Sequence, residues 1–197
     1  LLKALDLRKI YLNAHSAGAS IATFFLNLYP ERVEQAILTC SGIFQYDEKA
    51  FAAFHQFGGY VVKFRPRWLY KLPYVDRLFM KRFLYRSLSK EISQAFLDDF
   101  LRANYEAALG TIYTCVSKKA AEVMPQEFAQ ISTPTLLISG QRDIIIPAEL
   151  GYNAAVLNQN IEYVVMKDTA HFPMLEDANT YLQIVRQFLG MEAVAIA

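Results

Sequence analysis

The sequence predicts an α/β protein: a mostly parallel sheet of four strands flanked by helices, with a helical insertion. Three observations predict it. Short β-prone runs alternate with segments whose apolar residues recur at i, i+3, i+4 and i+7. The first three runs end at small residues, as a tight strand-to-helix turn requires. The alternation stops between Ile43 and Ile131, then resumes. Such alternation implies parallel strands joined by right-handed crossovers.

The elements follow in order. Lys9 to Ala14 reads as the first strand. Gly18 to Tyr29 reads as a helix with Ile21, Phe24, Phe25 and Leu28 on one apolar face, ended by Pro30. Val33 to Thr39 is the second strand, stopping at Ser41-Gly42. Pro134 to Ser139 is the third, stopping at Gly140, and Pro147 is suited to open the next helix. Ile161 to Met166 is the fourth strand. Glu176 to Leu189 reads as a closing helix with Tyr181, Ile184, Val185 and Phe188 inward and acidic Glu176 and Asp177 at its N-terminus.

Residues 43–131 read as several helices, with breaks expected near Gly58-Gly59, Pro66, Pro73 and Gly110. Ser89 to Ala108 is the clearest, with Ile92, Phe96, Phe100 and Ala103 or Ala107 on one side. The expected organisation is a core of residues 1–42 and 132–197, with residues 43–131 inserted as a helical cap or lid.

Composition fits one domain with a large insertion. The chain has 197 residues, 54% of them hydrophobic, with 14% aromatic content and few glycines and prolines. That supports a sizeable core and excludes disordered and collagen-like classes. Apolar runs such as Ala193 to Ala197 and Ile144 to Ile146 fall far short of the roughly 20 residues a membrane span needs. The charged stretch Leu1 to Lys9 does not read as a signal peptide. Cys40 and Cys115 do not make a disulfide framework; both read as small core residues, and a reducing, cytoplasmic compartment is expected. A targeting signal upstream of Leu1 stays open.

The tightest chemical signal is Asn13-Ala14-His15-Ser16-Ala17-Gly18 at the first strand-to-helix junction. A serine on a sharp turn there exposes its Oγ at the edge of the sheet, and the strained backbone demands small neighbours. The following helix aims N–H groups at an oxyanion, that of Ala17 first. Locally, Ser16 also fits a helix N-cap. Asp143 follows the third strand and His171 the fourth, so all three lie at one sheet edge. A serine hydroxyl needs a base to take its proton, and histidine suits neutral pH. A carboxylate fixes the imidazole tautomer.

These residues resemble those of the α/β-hydrolase fold family with a helical cap. The resemblance rests on NAHSAG (13–18), PTLLISGQRDIIIP (134–147) and DTAHFPMLEDANTYLQIVRQFL (168–189), and covers nearly all the chain. It implies Ser16 as nucleophile, His171 as base and Asp143 as orienting acid, in the family's chain order. It implies that the strand from Lys9 matches the family's fifth, so that the chain is a truncated piece missing the N-terminal strands. The His-Gly motif that supplies the second oxyanion N–H has no counterpart, and Ala14 replaces the first glycine of the elbow. On this reading the first strand is an unpaired edge with Ile10, Tyr11 and Leu12 exposed.

Asp168, three residues before His171, reads as a solvated turn. The alternative acid position after the second strand holds Thr39-Cys40-Ser41-Gly42, with no carboxylate. His15 reads as packing support and His55 as structural. No metal-ligand spacing or phosphate-binding glycine loop is visible, so no metal and no nucleotide cofactor are expected.

The resemblance implies hydrolysis of an ester, thioester or related acyl substrate through an acyl-serine, and the aromatics of the cap point to a small apolar substrate. Carbon–carbon bond hydrolysis or acyl transfer on the same three residues is the alternative. A non-catalytic binding protein or an inactive fragment is the other.

The net charge of +1 hides an uneven distribution. Residues 60–90 hold nine basic residues and only Asp76 against them, leaving the remainder at −7. One reading packs the segment's aromatics on the core. The other sets Trp68 and Tyr70 against anionic lipid head groups. A nucleic-acid partner is not expected, because the aromatics read as buried in helices.

Overall fold

The computed structural model describes residues 1–191. The expected apolar run Ala193 to Ala197 and the end of the 132–197 core segment lie outside the described residues. The order of elements is β1 (Ile10–His15), α1 (Ala17–Leu28), β2 (Val33–Thr39), α2 (Glu48–Lys63), α3 (Val75–Met80), α4 (Lys90–Arg102), α5 (Tyr105–Cys115), α6 (Lys118–Ala129), β3 (Thr135–Gly140), α7 (Ala148–Ala155), β4 (Ile161–Met166), α8 (Pro173–Glu176) and α9 (Ala178–Phe188). Short 3-10 turns cover Pro30–Arg32 and Arg67–Lys71.

The four strands form one parallel sheet in the order β1-β2-β3-β4. Alternation along the inner strands builds a core on each face. Ala36 and Leu38 of β2 and Leu137 of β3 meet Ala19, Ala22 and Leu26 of α1, Met124 and Phe128 of α6 and Ala154 of α7. Ile37, Leu136 and Ile138 turn the other way, onto Tyr181 and Val185 of α9. All six residues of β3 are buried, as expected of a parallel strand covered on both sides.

Several expectations are corrected. The inward face of α1 is Ala19, Ala22, Thr23 and Leu26. Ile21 is 68% exposed and Leu28 69%. Periodicity picked the bulkier stripe, but small residues let the helix lie close to the sheet. Gly58 and Gly59 do not break a helix; they lie inside α2, where a Cβ on Gly58 would press on Ile112 and one on Gly59 on the Tyr113 hydroxyl. They permit close packing of α2 on α5. Gly110 lies inside α5. The helix expected from Ser89 to Ala108 is two, because the Asn104 side chain accepts the Ala107 N–H and starts α5.

The closing helix is also divided. Asp177 caps α9 by accepting the Thr180 N–H, whereas Glu176 ends α8. Of Ile10, Tyr11 and Leu12 at the β1 edge, Tyr11 alone is exposed, at 54%. Ile10 and Leu12 pack on the core, contrary to expectation. No helix among the described residues is long and apolar enough to cross a membrane.

Candidate active site

The junction of β1 and α1 sets the first residue. Ser16 has φ 53° and ψ −123°, a backbone region that costs on the order of 1–3 kcal/mol for a residue with a Cβ. Its N–H is tied to the Thr39 carbonyl at 2.9 Å. The Ser16 side chain makes no capping bond, which removes the N-cap alternative. Its Oγ lies 3.0 Å from His171 Nε2.

His171 Nδ1 lies 2.7 Å from Asp143 Oδ2. The carboxylate can only accept, so Nδ1 carries the proton and Nε2 presents its lone pair to Ser16. The Asp143 side chain is fully buried. Its other oxygen accepts the Ile145 and Ile146 N–H groups, at 2.8 and 3.0 Å. These bonds fix the orientation of the carboxylate toward His171. The two loops are also joined: the Arg142 N–H donates to the Thr169 carbonyl at 2.8 Å. Gly140 permits this approach, since a Cβ there would overlap the Ala170 carbonyl oxygen.

Ala17 opens α1, so its N–H has no partner within the helix. His15 packs its ring 4.8 Å from those of His171 and Phe172. Its Nε2 also donates to the His171 carbonyl at 2.7 Å. Burial first, then the nearby His171, lower the His15 pKa from 6.5 to about 4, so at neutral pH it is an uncharged hydrogen-bond donor. His55 bonds the Val116 carbonyl and stacks near Tyr113, a structural arrangement. Asp168 sits at an exposed turn, 3.9 Å from Arg142.

One site residue carried no sequence signal. Glu176, nearly buried, accepts the Ala170 N–H with Oε1 at 2.7 Å. Its Oε2 accepts the Tyr85 and Arg86 N–H groups, both at 2.7 Å. Read as a helix-terminal acid, it instead joins the inserted helices to the loop of His171. The His171 N–H reaches the Phe83 carbonyl at 2.9 Å beside it, and Phe83, Phe96 and Phe172 pack ring against ring.

His15, Cys40 and His171 place their ligand atoms within 4.8 Å of one another. They do not form a ready metal site. Both ring nitrogens of His171 and the Nε2 of His15 are committed to other bonds. The buried Cys40 thiol is pushed well up by desolvation and then by the Asp143 carboxylate.

The family model described as alpha/beta hydrolase fold matches residues 1–178. A 2-hydroxy-6-oxononadienedioate/2-hydroxy-6-oxononatrienedioate hydrolase from Pseudomonas putida is 26% identical over 196 residues, covering 96% of this chain and 66% of that protein. The chain thus spans just under two thirds of that relative's length. Among solved structures, a bromoperoxidase from Bacillus anthracis superposes with a TM-score of 0.79 at 18% identity, covering 96% of this chain and 70% of that one. A meta-cleavage product hydrolase from Pseudomonas fluorescens gives 0.72 at 15% identity, with 96% and 67% covered.

Proposed function

The chain belongs to the alpha/beta hydrolase fold family, and from that premise we propose that it is a serine hydrolase acting on an ester, thioester or related acyl substrate. The observation that carries this is the hydrogen-bonded series Ser16 Oγ, His171 Nε2, His171 Nδ1 and Asp143 Oδ2, at 3.0 and 2.7 Å. Ser16 Oγ attacks the carbonyl carbon while His171 Nε2 takes its proton. Asp143 stabilises the imidazolium, and the Ala17 N–H donates to the oxyanion. Collapse of the tetrahedral species sends the Nε2 proton to the leaving group. Water then gives a proton to Nε2 and its oxygen to the acyl carbon, releasing the acid and restoring Ser16.

Residues 43–131 act in this reading as a cap docked on the core through Glu176 and Phe83. An apolar cavity of ≈ 110 Å³, bordered by Ser20, Ile21, Phe24 and Met124, lies where α1 meets that cap. Ser20 is one helical turn beyond Ser16, which supports a small apolar acyl group. Cys40 and Cys115 are both free thiols, in keeping with a cytoplasmic setting.

The relatives favour a second reading, carbon–carbon bond hydrolysis. The substrate in the Pseudomonas putida relative's name carries a 6-oxo group and no ester. A serine or a water activated by His171 would attack that ketone carbon, with the neighbouring carbon as leaving group. A fluorophosphonate probe tests the shared premise: it should label the chain and fail on Ser16→Ala. Comparing turnover of p-nitrophenyl esters with that of a 2-hydroxy-6-oxo-dienoate separates the two readings. A folded chain that neither labels nor turns over either substrate would overturn both.

A further inference from the structure

Six of the eight aromatic residues in the basic segment are exposed, while Phe79 and Phe83 pack inward. Of its nine Lys and Arg residues, eight are exposed. Its one acid, Asp76, is buried, so it offsets little of the outward charge. Among the described residues only Arg86 of the nine is ion-paired, to Asp177 at 3.1 Å. Large apolar side chains stand between the charges: Trp68 is 53% exposed, Leu72 44%, Tyr74 71% and Leu78 73%.

Leu72 and Tyr74 share one stretch of surface with Lys71 and Arg77, and Trp68 and Leu78 lie within a few residues of it along the chain. Tyr70, Lys71, Leu72, Tyr74 and Arg77 border one cavity. Arg77 also borders the next, with Lys81 and Arg86, and Tyr70 a third, with Arg67.

We propose that this face docks on an anionic phospholipid bilayer. Trp68, Leu72 and Leu78 enter the boundary between head groups and acyl chains, while the surrounding Arg and Lys side chains meet lipid phosphates. Charge complementarity selects an anionic partner. The exposed leucines select lipid over nucleic acid, since they neither hydrogen-bond nor stack on bases but gain by leaving water. Tyr and Trp, apolar in body and polar at one tip, suit the interface. The contact is peripheral and is independent of the chemistry assigned to Ser16.

Trp68 is the only tryptophan of the chain, so its emission reports on this face directly. The full chain should co-sediment with vesicles of an equal mixture of phosphatidylserine and phosphatidylcholine, with a blue shift of Trp68, and not with phosphatidylcholine alone. Raising salt from about 0.1 M to about 1 M shortens screening from about 10 Å to about 3 Å and should release it. Lys71→Glu and Arg77→Glu should each weaken binding at least roughly fivefold. Leu78→Ser should weaken it at unchanged charge, with native circular dichroism throughout. The proposal is overturned if the folded chain ignores anionic vesicles, or if the charge reversals leave binding unchanged. Tighter binding to a duplex DNA than to these vesicles at equal salt, or self-association that already buries Trp68 without lipid, would also overturn it.

Discussion

Glu176 accepts the Ala170 N–H at 2.7 Å, and Ala170 is the residue that precedes His171. The same carboxylate takes two N–H groups from the inserted helical segment, at Tyr85 and Arg86. One side chain therefore ties the backbone that presents the imidazole to the inserted helical segment. Hydrogen bonds to an ionised acceptor contribute about 1.5–3 kcal/mol each.

Glu176→Gln should break this arrangement, because an amide offers one accepting oxygen where the carboxylate offers two. We expect a loss of about 2–4 kcal/mol of stability in urea unfolding. Turnover of an ester substrate should fall at the same time, more in kcat than in KM, since the loop of His171 loses its tether. Unchanged stability and unchanged kcat would show the contacts to be incidental.

Ser16 carries backbone strain at φ 53° and ψ −123°. Ser16→Ala should abolish fluorophosphonate labelling. Ser16→Gly should be equally inert yet more stable than Ser16→Ala by about 1 kcal/mol, because glycine tolerates φ 53°. Equal melting temperatures for the two variants would argue against strain at the turn.

His15 gives a pH dependence of definite sign. Its pKa falls from 6.5 in the unfolded chain to about 4 in the folded one. Between those values the unfolded state binds more protons, so stability declines as pH drops from 6.5 toward 4 and levels off below. The full contribution is on the order of 3 kcal/mol. His15→Gln keeps a donor for the His171 carbonyl but cannot titrate, and should flatten this window in unfolding midpoints measured across pH.

Gly140→Ala should be poorly tolerated. The added Cβ overlaps the Ala170 carbonyl, so the strand end or the loop of His171 must shift. Overpacking of this kind typically costs about 1–3 kcal/mol, and displacement of His171 should lower labelling of Ser16 as well. Gly110→Ala, where a Cβ would meet nothing within 4 Å, is the control and should be neutral or slightly stabilising by thermal unfolding.

The fold was legible where chain order and period coincide. Val33–Thr39 and Ile161–Met166 are strands with the bounds that their β-prone runs predict. The inserted helices were legible as helices but not in their boundaries. Gly58 and Gly59 look like breaks in isolation, and become packing positions only once α5 lies against them. Of the expected face of α1, Phe25 packs on the core while Ile21 and Leu28 stay exposed. Hydrophobic bulk does not say how closely a helix approaches its sheet, and here the small side chains of Ala19 and Ala22 face in.

By itself the sequence determined the α/β class, the four parallel strands, and the candidate residues Ser16, Asp143 and His171 at strand ends, because local pattern and strand–helix order suffice for each. Only the tertiary structure decided the distances among those three, the neutral His15 beneath them, and the outward turn of the basic, aromatic segment. Glu176 belongs to the second group entirely. Its three donors come from positions 85, 86 and 170, and contacts across such separations are set by packing, which no local pattern encodes.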